Sequence, residues 1–184
     1  MQIMTKKLVF YALFAALTVV CSQIAIPLPM DVPLSLATFA VMLSGALLGR
    51  YGGAVSQLVY VLLGAVGVPV FAGFRGGLDR LVGPTGGYII GYVLMALVIG
   101  LILSWLGTGF AVTVLAMAAG TAVCYLFGTI WYLILMKSAL LPALTACVFP
   151  FLPGDVFKIL LAAVCASRLQ QHIRLNTKKE YENA

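Results

Sequence analysis

Charge is what this sequence has least of. Only 9% of its 184 residues are Asp, Glu, Lys or Arg; five of them are acidic, and there is a single histidine. A soluble domain carries roughly a quarter of its residues as charges, so this chain cannot cover a water-facing surface with them. Catalytic constellations are missing as well. Cys21, Cys124, Cys147 and Cys165 lie in apolar runs without CxxC spacing and read as buried small hydrophobes, not as metal ligands. His172 sits in a polar C-terminal stretch with no nucleophile beside it, so the chain does not read as an enzyme. No GK[ST] follows its glycines, which excludes a P-loop, and no aromatic residues interleave with the basic ones, which excludes a nucleic-acid face.

What is present is apolar: 63% of the residues are hydrophobic and the mean hydropathy is +1.13. With about 20 apolar residues needed per crossing, there is room for roughly five to seven spans and no separate soluble domain. The first span is expected from about Leu8 to Ile26, too long and too poor in cleavage-site residues for a signal peptide, and it ends at Pro27 and Pro29. Ala12 and Ala16 form a small-residue stripe on it. That stripe suits either close docking of another helix or ordinary internal packing.

A proline-rich aqueous turn with one carboxylate, Asp31, is expected over 27–33. Spans at about 34–48 and 53–66 follow, separated by the Gly49-Arg50-Tyr51-Gly52-Gly53 junction. Three more are expected at about 86–105, 110–135 and 153–168, with Trp105, Trp131 and Tyr132 as interfacial anchors. Pro142 and Pro150 bracket a piece too short to cross, and the polar tail from Gln170 to Ala184 is expected to fray or lie on the surface. The fold class expected is an all-α, six-helix membrane bundle forming one domain over 1–184. Lys6, Lys7, Arg50, Arg168, Arg174, Lys178 and Lys179 fall on one side and Arg75, Arg80 and Lys137 on the other. The positive-inside rule then puts both termini in the cytoplasm.

Two features stand out against the apolar background. The stretch Gly67–Tyr92 holds eight of the nineteen glycines together with Arg75, Asp79 and Arg80. Its Phe71, Phe74, Leu78, Leu81 and Tyr88 are what a solvated linker avoids, so it reads as an outer lid and pocket wall. The helix start at Thr85 to Tyr88 offers N–H groups to an acidic ligand. The second feature is Asp155 and Lys158, three residues apart on one face at the start of the last span. Either they form a salt bridge that caps the helix, or they are a ligand site; ionisable groups in a membrane favour the latter.

These residues resemble a known family. Gly64-Ala65-Val66-Gly67-Val68-Pro69-Val70-Phe71-Ala72-Gly73, Gly76-Gly77, Gly83-Pro84-Thr85-Gly86-Gly87-Tyr88 and Phe151-Leu152-Pro153-Gly154-Asp155 with Lys158 look like BioY, the biotin-binding S components of energy-coupling factor (ECF) transporters. The likeness extends to Val32-Pro33-Leu34-Ser35-Leu36-Ala37-Thr38, where members often carry glutamine at the position of Ala37. It implies a multi-pass protein of a prokaryotic-type plasma membrane that binds biotin from outside as a transported substrate, with no cofactor. The resemblance also implies that Asp155 and Lys158 meet the polar groups of the ligand and that Ala12 and Ala16 dock on the transmembrane coupling subunit. ATP is then hydrolysed on separate ATPase subunits. The ureido ring of biotin, with two N–H donors and a carbonyl, complements a carboxylate and an ammonium. Phe71 would cover the thiophane ring, leaving the ligand carboxylate to Arg75 or to the N–H groups of Thr85 to Tyr88. Two other readings remain: an S component for another small vitamin, and a structural or assembly subunit of the membrane.

Overall fold

The computed structural model describes the backbone of residues 2–26 and 33–182 and the side chains of 5–26, 33–145 and 147–170. The proline turn with Asp31 and the side chain of His172 lie outside the described residues. Within them the chain is almost entirely helical: α1 (Gln2–Gln23), α2 (Ala37–Ala65), α3 (Leu78–Val82), α4 (Gly86–Leu106), α5 (Phe110–Met136), α6 (Leu140–Cys147) and α7 (Leu152–Glu182). Two short strands, β1 (Ala25–Ile26) and β2 (Leu34–Ser35), pair antiparallel between α1 and α2.

Among the described residues, four helices are long and apolar enough to cross a membrane: Thr5–Gln23 of α1, then α2, α4 and α5. Their outer faces expose Leu8, Leu13, Leu62, Leu115, Leu126 and Ile134, a surface that matches hydrocarbon rather than water. Backbone polar groups at such a surface must be satisfied within the segment, which is why helix prevails.

The α2 helix is not straight. Gly49 adopts φ 73° and ψ −177°, outside helical geometry and open only to glycine without strain. Beyond it the chain folds back, for Gln57 Nε2 donates to Ser44 Oγ at 3.0 Å, whereas a straight helix would hold these residues about 20 Å apart. A Cβ on Gly53 would lie 2.8 Å from the Gly45 Cα, so the two arms touch where neither has a side chain. Helix resumes immediately after Gly49, three residues earlier than expected. Of the glycines in that junction only Gly49 makes the turn, whereas Gly52 and Gly53 serve close packing. Gln57 also donates to Thr18 Oγ1 at 3.1 Å, tying α1 to both arms.

The α4 helix is the central post, packed against α2 on one side and α5 on the other. Met42, Met95, Ile99 and Met117 meet there, fully buried. Lys7, Arg50 and Leu169 line one crevice at one end of the bundle, where Gln170 Nε2 also donates to the Ala46 carbonyl at 3.0 Å. At the other end gather the β1–β2 ladder, the 67–85 connection, the start of α4 and the start of α7. The short piece bracketed by Pro142 and Pro150 is mostly α6, which begins two residues before Pro142, at Leu140, and ends at Cys147. The polar tail is helical in its backbone. Helix α7 continues through it to Glu182, in keeping with the helix-forming Lys178, Lys179 and Glu180.

Candidate ligand site

The 67–85 connection is an ordered structure, and its turns are set by its glycines and proline. Phe71 and Arg75 pair across a tight reversal, with Phe71 N donating to the Arg75 carbonyl at 2.8 Å and Arg75 N returning a 3.2 Å bond. Gly73 (φ 74°) and Phe74 (φ 56°) supply the positive-φ residues inside it. The Phe71 ring turns inward, 3% exposed, edge-on to Tyr60 with centroids 5.6 Å apart. It lies directly over Gly64, where a Cβ would fall 1.9 Å from Phe71 Cζ. Farther along, α3 interrupts what the sequence reads as loop. Its Asp79–Arg80 pair, at 3.5 Å, is too exposed to contribute much.

At the start of α4, Gly86 N donates to the Gly83 carbonyl and Tyr88 N to the Thr85 carbonyl, at 3.0 and 3.1 Å. Those N–H groups are therefore occupied within the turn. The side chain of Tyr88 points into the bundle and its hydroxyl bonds Thr129 Oγ1 at 3.0 Å. Gly128 makes room for the ring, because a Cβ there would come within 2.4 Å of it.

Asp155 and Lys158 lie in the first turns of α7 and are 3% and 7% exposed. Lys158 Nζ donates to Asp155 Oδ1 at 2.8 Å, to the Ser35 carbonyl at 2.8 Å and to Thr38 Oγ1 at 3.3 Å. All three ammonium hydrogens thus have acceptors. Thr38 Oγ1 donates a long 3.5 Å bond to Asp155 Oδ1, and the Tyr125 hydroxyl donates to Asp155 Oδ2. Two buried opposite charges are retained because each is paired and hydrogen-bonded; either alone would be costly. The carboxylate still has lone pairs to spare, and the longest ammonium bond, to Thr38, is the one most readily exchanged for another acceptor.

Two adjoining cavities connect these parts. One, of 70 Å³, is lined by Phe71, Arg75, Arg80, Thr85 and Tyr88, with Tyr60 below them. Its neighbour, of 50 Å³, is lined by Thr38, Tyr125, Asp155 and Lys158. Pro33, Ser35, Tyr88 and Tyr92 border both, so the two are halves of one polar-floored space. Both volumes lie below the roughly 300 Å³ at which ligand pockets begin, so a bicyclic ligand needs the wall to move outward.

The structure thus brings Phe71, Arg75, Thr85 and Tyr88 around one cavity and Asp155 and Lys158 around the next, with Tyr88 common to both. Ala12 and Ala16 sit elsewhere, exposed on the outer face of α1, while Phe14, Ala15 and Thr18 of the same helix are buried. Sequence reasoning missed Tyr125, Thr38 and the Ser35 carbonyl, which complete the charged network. Tyr125 is one of several hydroxyl side chains in α5, with Thr113, Thr121, Thr129 and Tyr132, so its sequence signal was weak. Nothing in the sequence points to a backbone carbonyl.

A model of the BioY family matches residues 1–175. The chain is 36% identical to the biotin transporter BioY of Rhodobacter capsulatus, covering 92% of this chain and 95% of that one. It is 41% identical to the probable biotin transporter BioY of Pyrococcus horikoshii, covering 90% and 96%. It is also 40% identical to the biotin transporter BioY of Thermotoga maritima, with the same coverage. The crystal structure of an S-component for biotin from an ECF-type ABC transporter superposes with a TM-score of 0.87 at 28% identity, covering 92% of this chain and 93% of that one. With a family match over nearly its full length and relatives of this identity, the chain belongs to the BioY family.

Proposed function

We propose that this chain is the substrate-specific subunit of a biotin uptake system, which captures biotin from outside and delivers it across the membrane with separate ECF coupling and ATPase subunits. The observation that carries the reading is the buried Asp155–Lys158 pair under a cavity whose upper wall holds Arg75. The ureido N–H groups of biotin donate to the spare lone pairs of Asp155, and its carbonyl accepts from Lys158 in place of Thr38. Phe71 covers the thiophane ring. The valerate carboxylate goes to Arg75, which lines the cavity and which, among the described residues, pairs with no carboxylate; of the competing N–H groups from Thr85 to Tyr88, those of Gly86 and Tyr88 already have acceptors. The cycle needs no chemical step in this subunit: binding and release suffice.

The membrane arrangement that goes with this function has six passes, the two arms of α2 counting separately and α7 supplying the last. Both termini are cytoplasmic, with the lid outside. Support comes from the reversal at Gly49 and from the clustering of Lys7 and Arg50 at the end opposite the lid. Ala12 and Ala16, outward on α1, form the face for the coupling subunit.

Isothermal titration of the purified protein tests the reading. Biotin binding that thiamine and riboflavin fail to compete supports it; binding of either of those vitamins but not of biotin replaces it with another S-component specificity.

A further inference from the structure

The lid is held from α1, and by one side chain above all. Gln23 Nε2 donates to the Val70 carbonyl at 3.1 Å and to the Phe71 carbonyl at 3.2 Å, while its Oε1 accepts from Phe74 N at 2.9 Å. Ser22 Oγ adds a 2.6 Å bond to the same Val70 carbonyl. Gln23 Nε2 also reaches Ser22 Oγ at 3.1 Å and the Val19 carbonyl at 3.4 Å on its own helix, so the two lid carbonyls share its hydrogens with α1. Its Oε1 is given to the lid reversal, residues 70–74, whose inward side chains are Val70 and Phe71. The rest of the lid is fixed differently. Gly77 N donates to the Gly64 carbonyl at 2.7 Å, and Trp131 Nε1 donates to the Gly83 carbonyl at 3.1 Å, so the 75–83 segment has its own anchors on α2 and α5. Gln23 does not line either cavity.

We infer that Gln23 is the latch of the pocket: its amide sets how often the Phe71 reversal lifts, and so gates passage of the ligand without touching it. This rests on the proposed function only for the identity of the ligand. Three points carry it. The cavities are too small to admit a vitamin with Phe71 in place. The lid tip turns its hydrogen-bonding groups toward Gln23. Phe74, at the tip, is 73% exposed, so apart from the buried Val70 and Phe71 side chains the reversal has no apolar anchorage, and its outer half depends on Gln23. A gate that does not contact the ligand has a specific signature: weakening it raises the opening frequency, and therefore entry and exit alike, while the ratio of the two is nearly conserved.

The test uses the intact subunit carrying Gln23→Leu, which removes all three bonds to the lid, and Gln23→Glu, which keeps the shape and the acceptor for Phe74 N but loses the donors. Losing two or three side-chain hydrogen bonds predicts that amide exchange over residues 70–76 accelerates by about tenfold or more, with exchange in α4 and α5 unchanged. Biotin association and dissociation rates both rise by about tenfold in Gln23→Leu, and their ratio shifts less than about threefold. Lid exchange unaltered in the folded variants overturns the inference. So does an affinity loss with association unchanged, or exchange accelerated uniformly across the bundle, which makes Gln23 merely structural. If the unsubstituted protein does not bind biotin, the functional reading fails, and lid exchange in the two variants still decides the latch.

Discussion

The Tyr125 hydroxyl donates to Asp155 Oδ2, joining α5 to the first turn of α7 across thirty residues of sequence. With Lys158 on Oδ1, both carboxylate oxygens are held, and the plane of the carboxylate is fixed toward the shared cavity. Tyr125 is thus a positioning residue for Asp155. Tyr125→Phe removes a bond to a charged acceptor, about 1.5–3 kcal/mol, and leaves Oδ2 free to rotate away. Biotin affinity measured by titration is expected to fall about tenfold or more. A variant that binds as tightly as the parent removes Tyr125 from the site.

The ion pair makes opposite demands on stability and on binding. Lys158→Ala alone strands a buried carboxylate, at a cost of about 3–5 kcal/mol, and thermal unfolding in detergent should register it as a large fall in melting temperature. Asp155→Asn combined with Lys158→Ala leaves no unpaired charge, so the double variant should unfold at a higher temperature than Lys158→Ala. It should nevertheless fail to bind biotin. A double variant less stable than the single one would mean that the pair is not balanced as its geometry implies.

Much of this arrangement was legible in the sequence. Asp155 and Lys158 announced themselves because charges are rare in an apolar chain, and Gly67–Tyr92 did so because its aromatic content contradicts a solvated loop. The resemblance to BioY rested on the same residues. Partners contributed by distant segments were not legible. The Ser35 carbonyl under Lys158 depends on the β1–β2 ladder, only two residues long, which has no alternating pattern to reveal it. The occupied N–H groups of Gly86 and Tyr88 depend on how tightly α4 begins, which Gly-Gly leaves open. Gln23 drew no attention in the sequence, since nothing local says that the lid returns to it 47 residues later.

Arg75 is assigned to the ligand carboxylate, and that assignment can be separated from general pocket integrity. In Arg75→Gln the side chain keeps similar reach and polarity but loses its charge. Affinity for biotin should fall by about tenfold or more, the scale of a lost charge-assisted hydrogen bond. Biotin carboxamide, which has the same rings and no charge, should bind the parent more weakly than biotin does and bind Arg75→Gln about as well as it binds the parent. Equal losses for both ligands would mean that Arg75 shapes the wall and does not recognise the carboxylate.

Ala12 and Ala16 test the other face of α1. Both are exposed, while Phe14, Ala15 and Thr18 between and beyond them are buried, so the outer face can accept a large side chain without disturbing the bundle. Close helix approach requires small residues, and a bulky group at either position keeps a partner helix at a distance. Ala12→Trp with Ala16→Trp is therefore expected to leave biotin binding by the isolated subunit within about twofold of the parent, while co-purification with the coupling subunit and labelled biotin uptake by cells fall by about tenfold or more. Uptake at the parental rate would move the docking face away from this stripe. Loss of binding in the isolated subunit would instead show that α1 acts on the pocket through its far end, where Ser22 and Gln23 hold the lid.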